Sequence, residues 1–274
     1  MATNNFFKNK TVLITGASQG LGKALAIELV SMKADLILVD KSKEILNKTI
    51  QEITQANKKV GKLIAIAADL STKEGCENAI RDIKKTSGMF DILINNAAIL
   101  KPGKFSEKNP KDIIEIINTN LLSTMILTNL SLPILAGSKK PGIINICGFF
   151  GKVGVPYFSL YSAAEFGIAG FTESLQREYA GENLRIMGVY TAGLKTDMFK
   201  GMIDKMQKIG FIFENPEIVA KKIVTAYNEM KNDLVLGKKE KSLIFWNGVS
   251  KGSNDKKFKK IKTKLLNTVA AYEG

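Results

Sequence analysis

The sequence contains no histidine and only two cysteines, Cys76 and Cys147. The first absence excludes Ser-His-Asp and Cys-His catalysis, imidazole proton relays and most zinc sites. The second excludes a disulfide framework or a four-thiolate centre, and no metal site is expected. Any chemistry must come from Tyr, Lys, Ser, Thr, carboxylates or an organic cofactor. No stretch approaches the roughly 20 apolar residues needed to span a bilayer. Residues 1–10 are polar, and the first apolar run, 11–15, is too short for a signal core. A cytoplasmic protein is the expectation.

Acidic residues are also scarce. The 274-residue chain carries 26 of them against 40 Lys and Arg, a net charge of +14. Over residues 238–264, ten lysines face only Glu240 and Asp255. This region is either a solvated tail or an electrostatic contact with an anionic membrane surface or another polyanion. Basic residues alone make no nucleic-acid motif, and no nucleic-acid partner is expected.

Apolar runs of strand length alternate with helical patterns. Residues 11–15, 35–39, 63–67, 92–94, 143–147 and 185–190 read as strands with little alternation, as strands covered on both faces do. A short seventh strand is expected at 234–236. Helical periodicity fills 21–32, 43–56, 73–86, 110–135, 157–180 and 216–230, with Pro110 and Pro216 suited to first turns. The βα repetition predicts an α/β fold: one Rossmann domain over 1–240, a doubly wound, parallel, seven-stranded sheet with helices on both faces. Residues 241–274 read as a basic extension. In it, Phe258, Ile261, Leu265 and Tyr272 share a face if 255–272 is helical, a face that lies on a membrane or packs on its own domain. Segment 197–213, rich in Met, Phe and Gly, is expected either to cover a substrate or to form an ordinary surface helix. The apolar stretch from Met198 to Phe213 hints at a hydrophobic small-molecule ligand.

Strand one runs into Thr15-Gly16-Ala17-Ser18-Gln19-Gly20-Leu21-Gly22, and a helix follows. Gly16 permits a tight turn, Gly20 a close backbone approach to phosphate, and Gly22 helix–strand packing. The N-terminus of that helix then faces a pyrophosphate. Asp40 lies about 20 residues further on, where a carboxylate accepts from ribose hydroxyls and repels a 2′-phosphate. That favours NAD over NADP, whereas Lys41 can pair with such a phosphate. Asp69 ends strand three, within reach of an adenine.

With these motifs in order, residues 8–237 resemble the short-chain dehydrogenase/reductase family. Its Gly-x-x-x-Gly-x-Gly spacing is present. Asp69-Leu70 matches its adenine contact, Asn95-Asn96-Ala97-Ala98 its Asn-Asn-Ala-Gly stretch, and Asn120 its helix-four asparagine. Tyr161 matches the catalytic tyrosine, and Thr196 the threonine that contacts the nicotinamide amide. The resemblance implies a bound nicotinamide dinucleotide, with contacts from Gly16, Ser18, Gly20, Leu21, Gly22, Asp40, Lys41, Asp69, Leu70, Asn96, Ala97 and Thr196. It also implies homodimers or homotetramers that pair through the helices at 110–135 and 157–180.

The family's reaction moves a hydride between nicotinamide and an alcohol or ketone. Tyrosine moves the proton, aided by a lysine four residues later, a serine thirteen residues earlier and the asparagine's water relay. Here the lysine position holds Glu165, the serine position Gly148 and the Pro-Gly after strand six Thr191-Ala192. A cation about 6 Å from a phenol, at an effective dielectric near 20, favours phenolate by roughly 3 kcal/mol. That is about two pKa units, and an ionised carboxylate reverses it, so the swing is up to about four. Loss of the serine donor typically costs 10²–10³ in rate. Cys147 is a weak donor, and strand alternation turns it away. Tyr157 lacks the following lysine as well; Lys152 and Lys195 lie on nearby loops as alternative cations. Three readings stand: a dinucleotide-binding protein with the standard catalysis impaired or lost; an active NAD(P)-dependent alcohol/ketone oxidoreductase using Tyr161 with Glu165 or a lysine from elsewhere; and a membrane- or partner-binding protein acting through the basic C-terminus. In the second, burial raises the Glu165 pKa and makes it the general base.

Overall fold

Strand-length runs of Val, Ile and Leu can bury both faces only if helices cover them, and the chain does this in order. The computed structural model describes residues 5–57, 60–270 and 272. Its first half runs β1 (Thr11–Thr15), α1 (Gly20–Ser31), β2 (Asp35–Asp40), α2 (Lys43–Ala56), β3 (Leu63–Ala67), α3 (Lys73–Thr86) and β4 (Ile92–Asn95). Then come α4 (Pro110–Ile116), a π-helical turn (Ile117–Leu122), α5 (Ser123–Leu135), β5 (Gly142–Gly148), α6 (Ser159–Glu178) and β6 (Arg185–Thr191). The chain continues through β7 (Gly193–Leu194), α7 (Ile203–Lys208), β8 (Phe213–Glu214), α8 (Pro216–Asn228), β9 (Asp233–Val235), α9 (Lys238–Val249) and α10 (Lys251–Val269).

The main sheet has seven parallel strands in the order β3-β2-β1-β4-β5-β6-β9. The chain winds outward from β1 to β3, then returns to β4 beside β1. A cleft therefore opens at the carboxyl ends of β1 and β4, where the winding reverses. One face is covered by α1 and α8 through Leu25, Leu29, Ile223 and Val224. The other is covered by α3 and α5 through Ile80, Ile83, Leu127 and Ile134. A third apolar layer lies over the carboxyl edge, and in it Phe149, Phe150, Phe199, Met202 and Met206 meet Leu243, Phe258 and Leu265 of the two last helices.

Two helical expectations are corrected, and two open alternatives narrow. The helix expected at 157–180 begins at Ser159, because Tyr157 takes a left-handed φ of 69° after Pro156 and Phe158 is still non-helical. The helix expected at 110–135 contains a π turn. There the Ser123 and Thr124 hydroxyls bond back to the carbonyls of Thr119 and Asn120. Segment 197–213 combines the two readings: Asp197, Met198 and Phe199 line the cleft, and α7 exposes Asp204, Lys205, Gln207 and Lys208 to solvent. Its base is tied by the two-residue β7–β8 pair, and Met202 and Met206 are buried beneath the C-terminal helices. The apolar face of the last helix packs on its own domain: Phe258 and Leu265 are buried, and the Tyr272 hydroxyl donates to the Leu100 carbonyl at 2.9 Å. That face is not free to meet a membrane. The ends of the expected extension, at 271 and 273–274, lie outside the described residues.

Candidate functional site

The turn after β1 is held open from beneath. Asn96 Nδ2 donates to the carbonyls of Thr15 (3.0 Å) and Gly16 (3.1 Å), and the Thr15 hydroxyl accepts from the backbone N–H groups of Asn96 and Ala97. Gly16 has φ +62°, and a Cβ there would lie 2.8 Å from the Ala97 Cα. A Cβ on Gly22 would lie 2.0 Å from the Gly16 carbonyl oxygen, so only glycine lets α1 approach β1 this closely. These contacts fix a backbone cradle at a helix N-terminus, the geometry that binds a pyrophosphate.

The cradle forms the middle of a cavity of about 360 Å³. Asp40, Lys41, Asp69 and Leu70 line one end, Gly148, Tyr161 and Glu165 the other, and Gly16, Gly20, Leu21, Asn96, Ala97 and Thr196 lie between. The residues fit a dinucleotide: a glycine cradle in the middle, carboxylates for ribose at one end, and a buried proton-bearing pair at the other. Asp40 Oδ2 accepts from the Ser18 amide (3.1 Å) and hydroxyl (2.6 Å), and Oδ1 from the Lys41 amide (2.7 Å). Ser18 thus orients Asp40 rather than facing the cavity. The Lys41 ammonium pairs with Asp69 at 2.9 Å, and a hydrogen bond with Asp69 is the main cause of its raised pKa.

Asn120 does not line the cavity. It is fully buried, its Oδ1 accepting from the Ile99 amide (2.9 Å) and its Nδ2 donating to the Ile99 carbonyl (3.0 Å). Its side chain therefore positions the loop after β4. Glu115 and Thr119, one helical turn apart, line the cavity instead. Sequence reasoning missed both, along with Phe150, whereas Met198 and Phe199 belong to the apolar stretch it singled out. The i, i+4 spacing of Glu115 and Thr119 was a readable signal; the π turn that turns Asn120 inward was not.

At the other end, α6 presents Tyr161 and Glu165 on one face, four residues apart, toward the end of β5. Glu165 is 1% exposed, and the Gly148 N–H donates to its Oε2. Burial pushes its carboxyl up to about 7, opposed by hydrogen bonds from Gly148, Cys147 and Tyr161. Burial also pushes the Tyr161 hydroxyl well above its ordinary value, and the Glu165 carboxylate beside it adds to the rise. A Cβ built on Gly148 would lie 3.5 Å from the Tyr161 hydroxyl and 3.6 Å from Glu165 Oε2, so both groups meet where the serine would stand. The Phe150 ring packs edge-on to Tyr161 at 5.3 Å.

Neither lysine considered as a substitute cation reaches this pair. The Lys152 ammonium sits 4.5 Å over the Tyr190 ring, and Lys195 is exposed. Cys147 packs with Ile168, Ala169 and Tyr190, and its thiol donates to the Glu165 carbonyl at 3.3 Å. With no cation beside it, Tyr161 stays a neutral phenol. Glu165 is the one group of the pair that titrates near neutrality.

The family model described as short chain dehydrogenase matches residues 10–207. A ketoacyl reductase of Nostoc sp., HetN, is 36% identical over 177 residues, 65% of this chain and 61% of that relative. The NADP-dependent 3-hydroxy acid dehydrogenase of Schizosaccharomyces pombe is 30% identical over 237 residues, 82% of this chain and 90% of that one. Among solved structures, a dehydrogenase/reductase of Sinorhizobium meliloti superposes with a TM-score of 0.76 at 26% identity, covering 85% of this chain and 96% of its own.

Proposed function

The chain belongs to the short chain dehydrogenase family, and from that premise we propose that it binds a nicotinamide dinucleotide in the cleft and reduces a carbonyl group, with Glu165 as the proton source acting through Tyr161. One observation carries the reading: a buried carboxyl with a pKa of about 7 stands at the lysine position, against the Tyr161 hydroxyl. The dinucleotide, when bound, supplies the hydride. Tyr161 gives its proton to the substrate oxygen as negative charge builds there, and neutral Glu165 returns one to Tyr161. The Gly148 N–H donates to Oε2 and holds the carboxyl in place. In the reverse direction ionised Glu165 is the base. Reduction therefore needs Glu165 protonated and slows above pH 7, while alcohol oxidation speeds up there. The names of the relatives suggest a ketoacyl group or 3-hydroxy acid as the substrate class, and the Phe150, Met198 and Phe199 lining suits an apolar chain.

A second reading is supported by the missing hydroxyl at Gly148 and the missing cation at Tyr161: dinucleotide binding without turnover. Fluorescence titration with NADH and NADPH, followed by assays on 3-oxoacyl thioesters at pH 6 and 8, separates the two. Binding with faster turnover at pH 6 supports the reductase. Binding with no turnover at either pH supports the second reading.

NAD is the preferred cofactor in this proposal. A 2′-phosphate would face the Asp40 carboxylate and would have to draw Lys41 away from Asp69. NADH is expected to bind about tenfold more tightly than NADPH, a difference of about 1.4 kcal/mol. Asp40→Ala should erase that difference in the same titration; an unchanged ratio would remove Asp40 from cofactor choice.

Self-association through the helical segment 110–135 and α6 completes the proposal. Leu122, Met125 and Phe166 are 40–43% exposed there, an apolar surface suited to a second copy. Sedimentation velocity should show a dimer or tetramer that Phe166→Glu shifts toward monomer. A monomeric wild type would refute it.

A further inference from the structure

The apolar stretch at residues 243–246 is split between two faces of α9. Leu243 and Glu240 point inward and are buried. Asn247 Nδ2 donates to the Lys152 carbonyl at 3.0 Å, and Asn254 Nδ2 of α10 donates to the Leu243 carbonyl at 2.9 Å. These bonds fix which side of α9 faces out. On that side Phe245, Trp246 and Val249 are 61%, 46% and 65% exposed. Lys238 and Lys241 precede Phe245 by about two turns and one turn and are exposed, as are Lys256, Lys257, Lys259, Lys260, Lys262 and Lys264 on α10. Among the described residues, none of these lysines takes part in an ion pair.

We propose that α9 docks on the surface of an anionic lipid bilayer, with Phe245, Trp246 and Val249 entering the boundary between headgroups and acyl chains while the α9 and α10 lysines meet the lipid phosphates and carboxylates. Exposed aromatic and aliphatic side chains flanked by lysines are the pattern of an interfacial helix. The charge argues against a second copy as the occupant, because two such faces would bring like charge against like. A diffuse anionic surface matches a diffuse array of cations. The contact differs from the one expected from sequence, since the apolar face of α10 is already spent on the protein's own core. It does not rest on the reaction proposed above.

Trp246 is the one tryptophan of the chain and reports its own environment. Full-length protein is mixed with vesicles of phosphatidylcholine alone or with roughly one-third phosphatidylserine. Phosphatidylserine vesicles should blue-shift the Trp246 emission, brominated acyl chains should quench it, and high salt should reverse both. The double variant Phe245→Ser/Val249→Ser keeps the reporter and should partition at least about tenfold more weakly. An emission spectrum unmoved by anionic vesicles overturns the inference, even if the protein cosediments through another face. So does a shift that follows protein concentration without lipid, which would assign the face to self-association, and so does a double variant that partitions like the wild type.

Discussion

Glu165→Gln is expected to lower carbonyl reduction by roughly 10²–10⁴-fold, the usual contribution of a positioned acid or base. The amide fills the same space and can still accept the Gly148 N–H, but it has no proton to return to Tyr161. The residual rate should lose its decline above pH 7. Turnover unaffected by the substitution would remove Glu165 from the reaction. The same variant has a second, independent readout in stability. The folded carboxyl titrates near 7 against an ordinary value of 4.5. Below pH 4.5 it is protonated in both states, and the fold has its full stability. Between pH 4.5 and 7 the unfolded chain ionises while the folded one stays neutral, so stability falls as pH rises. The loss is roughly 3 kcal/mol by pH 8, at 1.36 kcal/mol per pKa unit. Glu165→Gln escapes this loss. Thermal melts at pH 5 and pH 8 should show the variant gaining on the wild type at the higher pH, by roughly 5–10 °C. Parallel melting curves at both pH values would mean that the buried carboxyl does not titrate as described.

Gly22→Ala should all but abolish dinucleotide binding. The added methyl would sit 2.0 Å from the Gly16 carbonyl oxygen and 2.8 Å from Asn96 Nδ2. The first is backbone, and Asn96 is already committed to the Thr15 and Gly16 carbonyls. Relief therefore requires α1 to lift from β1 or the Gly16 turn to deform. Overpacking of this kind costs about 1–3 kcal/mol in stability. The affinity loss should be larger in proportion, at least about 100-fold (about 2.7 kcal/mol), because the displaced peptide is the one that would face the phosphates in the proposed site. Gly170→Ala is the control. It lies in α6, with nothing within 4 Å of the added methyl in a single copy of the chain, and should leave affinity unchanged. A Gly22→Ala protein that bound NADH normally would show that the cleft does not hold its ligand through this turn.

The outer limits of the fold were legible in the sequence because each strand and each helix carries its own period. Runs such as 11–15 and 143–147 gave their positions within a residue or so, and the glycine spacing after β1 placed the cradle. Boundaries set by unusual backbone were not legible. Tyr157, at a left-handed φ, and the π turn at 117–122 are chosen by packing and by hydroxyl-to-carbonyl bonds rather than by propensity. The π turn also decided which helix-four side chains reach the cleft, turning Asn120 to Ile99 and leaving Glu115 and Thr119 on the lining.

The C-terminal helices show the same division. Their basic, amphipathic character is local and was read directly, but which face is free depends on where the chain folds back. Phe258 and Leu265 look as available in sequence as Phe245 and Trp246, and only the third core layer distinguishes them. At the reactive end, sequence alone determined that a carboxylate replaces a cation and a glycine replaces a hydroxyl. It left open whether that carboxylate would be ionised, because ionisation depends on solvent access and on neighbours distant in the chain. Tertiary structure decided it by burying Glu165 between α6 and the end of β5, where water no longer stabilises the charged form.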